Sequence, residues 1–243
     1  MKLTILSCGT YIPEKGKGCS SYLLQNQGKN IVIDFGRGTI ERLLRAGIEY
    51  HEIGYILITH CHMDHMSELF SLMHLLINPP RDMKKPDITL IGPKGFSDTM
   101  DMVFRFFKKS PGRNINIEEY CKQEIAGLTL EGFPVKHSDD GLAYRLTEGD
   151  KTICISGDTG ECQGIRDAAE QADIAVIEAT VPEPKDTHLT GEQAGKIAQD
   201  AGVKKLVLTH ISPFYGKEAA LSDAKKAFAG ELIAAEEGMR FLL

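Results

Sequence analysis

Tyr55-Ile56-Leu57-Ile58-Thr59-His60-Cys61-His62-Met63-Asp64-His65 is the stretch on which the reading of this chain turns. Tyr55–Thr59 is an apolar run of strand length, and the residues after it carry three imidazoles and a carboxylate. Imidazole nitrogen and carboxylate oxygen are donors that zinc accepts, and a short strand can deliver such a cluster to one point in the loop beyond it. One histidine at a strand end is ordinarily a core or surface residue. Three with an aspartate, at offsets 0, 2, 4 and 5, read as a metal site. Cys61 and Met63 alternate with these residues and are expected to point away, leaving the Cys61 thiol inert. His51 reads as a surface residue and His74 as a core one.

Outward from this stretch, strand-like segments recur at Leu3–Leu6, Ser21–Leu24, Ile31–Ile33, Ile88–Ile91, Leu128–Phe133, Ala143–Leu146, Thr152–Ile155, Ile174–Glu178 and Leu206–Thr209. Helical periodicity marks Thr39–Ala46, Glu68–Ile77, Phe96–Lys108, Gly164–Glu170, Thr190–Ala201 and Ser222–Phe228. Such alternation belongs to an α/β fold. Nothing in the sequence looks like a linker, so residues 1–243 read as one domain, and 42% hydrophobic content suffices for its core.

The net charge of −6 excludes a nucleic-acid binder with a diffuse positive field; any RNA must be held by a local basic patch. The six cysteines form no C-x-x-C pair, and Met1–Leu6 reads as a strand instead of a signal peptide. The expectation is a cytoplasmic protein with reduced thiols and no membrane segment.

Four further residues stand where chemistry is built. His137 follows the strand Leu128–Phe133, Asp158 lies in Ser156-Gly157-Asp158-Thr159-Gly160, His188 opens His188-Leu189-Thr190, and His210 ends Leu206–Thr209. Ile56-Leu57-Ile58-Thr59-His60 is echoed by Leu206-Val207-Leu208-Thr209-His210. Each half of the chain thus sends a buried strand toward a histidine, and the two halves are expected to meet at one site.

His60-x-His62-x-Asp64-His65, followed by a distant His137, Asp158 and His210, resembles the hallmark of the metallo-β-lactamase superfamily. The resemblance implies a four-layer αβ/βα sandwich with the metals at the sheet edge. It also implies that His60, His62 and His137 bind one zinc ion, that Asp64, His65 and His210 bind a second, and that Asp158 bridges them. Mn2+ or Fe2+ could substitute. Position 62 is histidine where the redox-active di-iron branch carries glutamate, which favours zinc-dependent hydrolysis.

Within the superfamily the chain is similar to the ribonuclease Z-like branch, which trims the 3′ ends of transfer RNA precursors. The similarity rests on Cys8-Gly9-Thr10, Asp34-Phe35-Gly36-Arg37-Gly38-Thr39, Gly92-Pro93-Lys94-Gly95, and Glu178-Ala179-Thr180 with His188-Leu189-Thr190. It implies a phosphodiester substrate, either an RNA 3′ end or a small nucleotide diester, and admits a homodimer. Asp64 would hydrogen-bond the attacking water. His188 would act as general acid, oriented by Glu178; alternatively it is merely the residue before a helix capped by Thr190.

The branch's long RNA-gripping arm falls between its third histidine ligand and the bridging aspartate, but here His137 and Asp158 stand only 21 residues apart. Good hydrolysis of small diesters and poor grip on whole precursors are therefore expected, unless Arg81, Lys84, Lys85, Lys108, Lys109 and Arg113 form a compensating patch at the metal cleft. The rival readings are a lactonase or thioesterase working on a carbonyl with the same metals, and a non-catalytic member acting within a complex.

Overall fold

Each half of the chain folds as an antiparallel meander that continues into parallel strands. The computed structural model describes residues 1–110 and 112–243. Strands β1 (Lys2–Ser7), β2 (Ser21–Asn26), β3 (Lys29–Ile33), β4 (Ile53–Leu57), β5 (Ile88–Gly92) and β6 (Ile115–Glu119) lie side by side in the first sheet. The second sheet contains β7 (Gln123–Ile125), β8 (Leu128–Pro134), β9 (Leu142–Glu148), β10 (Lys151–Ile155), β11 (Ile174–Glu178), β12 (Lys205–Thr209) and β13 (Glu231–Ala234). The last strand, β14 (Arg240–Leu242), returns to pair with β1. Strands β3 to β6 run parallel, as do β10 to β13.

Alternation along the strands sorts side chains into layers, because successive residues point to opposite faces. Leu24, Ile31 and Ile33 join Ile153, Val176 and Val207 in the core between the sheets. Leu23 and Val32 face outward, against α1 (Thr39–Arg45), α2 (Met63–Ile77) and α3 (Phe96–Phe107). Ala175, Ile177, Leu206 and Leu208 do the same toward α4 (Gln163–Ala169), α5 (Gly191–Asp200) and α6 (Lys217–Ala224). The result is helix, sheet, sheet, helix: the expected sandwich. Each fully buried Leu or Ile in these layers contributes about 1.5–3 kcal/mol.

Parallel strands end on the same side of their sheet, and that side is where α/β folds build sites. The segments leaving β3, β4, β10 and β12 carry Asp34, His60, Asp158 and His210, and β11 ends on Glu178. Among the described residues, no helix is long and apolar enough to cross a membrane.

Several boundaries differ from expectation. Strand β4 stops at Leu57, before Thr59, because the Thr59 amide donates to the Asp34 carboxylate (2.8 Å) instead of to a strand carbonyl. Helix α2 starts at Met63, five residues before the first position expected, so Asp64 and His65 lie in its first turn, where a carboxylate is favoured by the helix dipole. Helix α6 begins at Lys217 and ends at Ala224. Strands β6, β7, β13 and β14 are additional to those expected; all four are sheet edges. His74 is exposed on α2, not a core residue, since it falls on the face turned from the sheet.

Candidate metal centre

The two histidines that leave β4 and β12 come together through His65. The ring centroids of His60 and His65 are 4.1 Å apart, and those of His65 and His210 are 5.3 Å apart. Two groups of side chains result, each with its donor atoms mutually within 4.8 Å: His60, His62 and His137, and Asp64, His65, Asp158 and His210. The resemblance implies His60, His62 and His137 in one set and Asp64, His65 and His210 in the other with Asp158 between them; here Asp158 lies in the second group.

In the first group, His137 Nδ1 lies 2.8 Å from the Thr187 carbonyl, to which its N–H can donate, turning Nε2 inward to 3.0 Å from His62 Nδ1. In the second, His65 Nδ1 is 2.7 Å from Asp34 Oδ2, so its Nε2 faces Asp158 Oδ1 at 3.2 Å. His210 is fixed by the Thr180 hydroxyl (2.9 Å from Nδ1) and has Nε2 3.2 Å from Asp64. Asp158 reaches both groups: one oxygen faces His65, and the other lies 3.8 Å from His137 Nε2.

Local backbone conformation makes this convergence possible. Asp34 (φ 56°) and His210 (φ 51°) are non-glycine residues in the left-handed region, a cost of about 1–3 kcal/mol each that surrounding bonds must offset. The His210 amide is held by the Cys8 carbonyl at 3.1 Å, and the Asp34 amide by the Leu57 carbonyl at 2.8 Å. Gly157 also has positive φ, and a Cβ there would lie 2.7 Å from that of Thr59, so only glycine lets the Asp158 turn close against the end of β4.

The electrostatics suit cations. Burial, reinforced by charge on His65, holds the His60 imidazole well below its usual range and so keeps it neutral. Burial works against ionised Asp158, but the positive charge of His210 and His65 overrides it and holds this carboxyl well below the usual range. Burial likewise opposes charge on Asp64, yet the His210 hydrogen bond and His65 lower it. His65 is raised well above the usual range: its burial is outweighed by Asp158 and Asp34. His60 Nε2, His65 Nε2 and Asp158 Oδ1 are buried with no hydrogen-bond partner, which is costly in a protein interior unless something else satisfies them. Three inward-facing orphan donor atoms amid seven imidazole and carboxylate groups fit a pair of divalent cations.

His188 and Glu178 also meet. Glu178, fully buried at the end of β11, accepts the amides of Thr159 (2.8 Å), Thr180 (3.1 Å) and Leu189 (3.2 Å), and His188 Nδ1 lies 2.8 Å from its carboxylate. The His188 ring leans on His137, with centroids 4.8 Å apart, and its donor atom groups with those of His137 and Asp158. Burial lowers the His188 pKa, but the Glu178 hydrogen bond and charge more than reverse this, so it is raised overall. Thr190 does cap α5 through a capping box with Gln193, so the helix start and the imidazole coexist.

Cys61 is half-buried and its thiol is pushed up by burial, consistent with an inert residue. In the sequence Asp34 stands out only as the first residue of the Asp34–Thr39 stretch, with no role at the metal centre. A carboxylate directly after a parallel strand was the available signal, but its partners Thr59 and His65 lie 25 and 31 residues away. Asp34→Asn places an amide donor among donors, and metal affinity is expected to fall about 10–100-fold. Metal titration against a fluorescent chelator measures this, and unchanged affinity would remove Asp34 from the account.

Fold and clusters together define a metal-dependent hydrolase of the αβ/βα sandwich class. The chain belongs to the beta-lactamase superfamily domain family, whose model matches residues 29–211. The ribonuclease Z of Streptomyces coelicolor is 26% identical over 97% of this chain and 95% of its own length. Among solved structures, the metallo-beta-lactamase fold protein YhfI from Bacillus subtilis superposes with a TM-score of 0.86 at 20% identity, covering 99% of this chain and 98% of that one. The short form of human tRNase Z gives 0.80 at 22% identity, covering 100% and 99%.

Proposed function

We propose that residues 1–243 form one cytoplasmic hydrolase domain that uses two zinc ions to cleave a phosphodiester, in an RNA 3′ end or a nucleotide diester. The observation that carries this reading is Asp158 set between two ligand groups, with the Glu178–His188 pair, 2.8 Å apart, at their margin. The likeness to ribonuclease Z over nearly the full length of both chains supports the substrate class. Six cysteines without a disulfide support the compartment.

Two divalent ions held by His60, His62, His137, Asp64, His65, His210 and Asp158 would supply water of lowered pKa and neutralise charge on the phosphoryl oxygens. The protein provides the rest. Asp34 and Thr180 fix the rings of His65 and His210, and Asp64 accepts a hydrogen bond from the attacking water. His188, with Nδ1 held by Glu178, keeps Nε2 free to give a proton to the departing oxygen. A carbonyl substrate has less need of that proton donor, which separates this reading from a lactonase or thioesterase.

Purified, zinc-loaded protein should contain close to two metals per chain by elemental analysis and should hydrolyse thymidine 5′-p-nitrophenyl phosphate in preference to a lactone or thioester. A stoichiometry of one in a fully active sample would count against the paired ions. Faster turnover of the lactone would replace the phosphodiesterase reading.

A further inference from the structure

The basic residues noted in the sequence do converge, but not at the metal cleft. Lys84, Lys85 and Arg113 line a groove of about 340 Å3 beside the end of α2 and the start of β6. Arg105, Lys108 and Lys109 border an adjoining hollow at the end of α3. Lys109 links the two by donating to the Ile77 carbonyl (3.5 Å) and the Asn78 side chain. All six are exposed, and among the described residues the ion pairs lie on other cations, such as Lys17, Arg42, Lys122 and Arg166. With Arg81, seven cations stand against the exposed Asp82, Asp87 and Asp101, a surplus of four positive charges in a chain whose net charge is −6.

This pole is one helix away from the metals. His62 precedes α2 and Asn78 follows it, and 15 helical residues span about 22 Å. Along the helix run Met63, Ser67, Ser71, His74 and Asn78, spaced by four, four, three and four residues and therefore on one face; none is buried and none carries a carboxylate. The nearby Glu68 is engaged by the Gly38 and Ile40 amides. On the next helix, α3, the acids are Asp98 and Asp101, both exposed. His74 and the 74%-exposed Phe106 offer rings at the basic end of the track.

We infer that this pole anchors RNA, with phosphates held by the lysines and arginines while the strand follows α2 to the metal centre; the inference rests on the phosphodiesterase reading. Cations with exposed rings suit a nucleic acid strand, whose phosphates and bases they engage together. A second copy of the chain docked face to face would oppose cations to cations. An anionic membrane would be satisfied by the cations and Phe106 alone and gives no role to a carboxylate-free track leading to the metals. The anchor replaces the missing arm from a different part of the fold.

The test is anisotropy of a labelled RNA hairpin with a single-stranded 3′ tail, measured between about 50 and about 200 mM salt, with the triple variant Lys85→Ala, Lys108→Ala, Arg113→Ala. Each phosphate contact to a single strand contributes about −0.7 to the slope of log K against log salt. The variant's slope should be shallower by about 2.1, so that the unaltered protein loses about 20-fold more affinity over that range. Hydrolysis of thymidine 5′-p-nitrophenyl phosphate should be equal in both, which shows the fold and metals intact, and the exposed pair Lys225→Ala, Lys226→Ala should leave the slope unchanged. Equal slopes for the triple variant and the unaltered protein overturn the anchor, as does binding to phosphatidylglycerol vesicles with none to RNA. If the unaltered protein fails on every small diester, the phosphodiesterase reading falls, while the slopes still decide whether the pole grips RNA.

Discussion

Asp158→Ala is expected to reduce phosphodiester turnover by at least about 10³-fold, beyond the 10–100-fold typical of outer-shell partners, and to lower metal content from two ions per chain toward one or none. The magnitude follows from position. Asp158 is the only one of the seven candidate ligands whose two oxygens address different groups, His65 at 3.2 Å and His137 at 3.8 Å. Its removal also takes one of the carboxylates away from each of His65 and His210, which it approaches to 3.2 and 3.5 Å, leaving them Asp34 and Asp64. Elemental analysis beside steady-state kinetics makes the measurement, with circular dichroism to verify folding. A variant that retained two ions and turned over within tenfold of the parent would exclude Asp158 as the bridge.

His188→Ala should slow substrates with poor leaving groups by about 10²–10⁴-fold while sparing activated aryl diesters, because proton donation matters only where the departing oxygen needs it. Metal content should stay constant. Loss of metal would make His188 a ligand, a role its grouping with His137 and Asp158 allows geometrically; equal slowing of both substrate types would make it structural. The pH profile provides a second readout. His188 is half-buried, and partial burial lowers its pKa, but Glu178 raises it on balance, so the protonated acid persists above the pH at which a free imidazole loses its proton. Its help is therefore present at low pH and lost as pH rises through the folded value. The alkaline decline in kcat for a poor leaving group should vanish in His188→Ala.

Much of the site is legible in the sequence because its ligands follow short segments whose ends carry clear signals. His60 and His210 each follow an apolar run ending in threonine, and that pattern alone places both at strand ends in opposite halves of the chain. The same stretch holds the main departure from expectation. The residues after Thr59 read as a loop with alternating ligands, yet Met63 starts a helix, so Asp64 and His65 reach the site from a helical turn. No local propensity distinguishes these conformations over five residues.

The four unexpected strands have a common cause. β6, β7, β13 and β14 include Ile-Asn-Ile-Glu-Glu, Gln-Glu-Ile, Glu-Leu-Ile-Ala and Arg-Phe-Leu, too short or too charged to signal a buried strand. All four sit at sheet edges, where one side lacks a strand partner and charged residues discourage further pairing. Their pairing is set by the neighbour they meet, not by their own pattern.

By itself, the sequence determined the α/β alternation and brought out the candidate metal ligands, because donor chemistry and apolar periodicity are written in residue types and spacings; Glu178 and His188 stood out through the resemblance to the ribonuclease Z-like branch. Only the tertiary structure decided that Asp34 orients His65, that Asp64 and His65 reach the site from a helical turn, and that the basic loops gather a helix length from the metals. Those are relations between segments tens of residues apart, fixed by how the two sheets pack and where their parallel strands end.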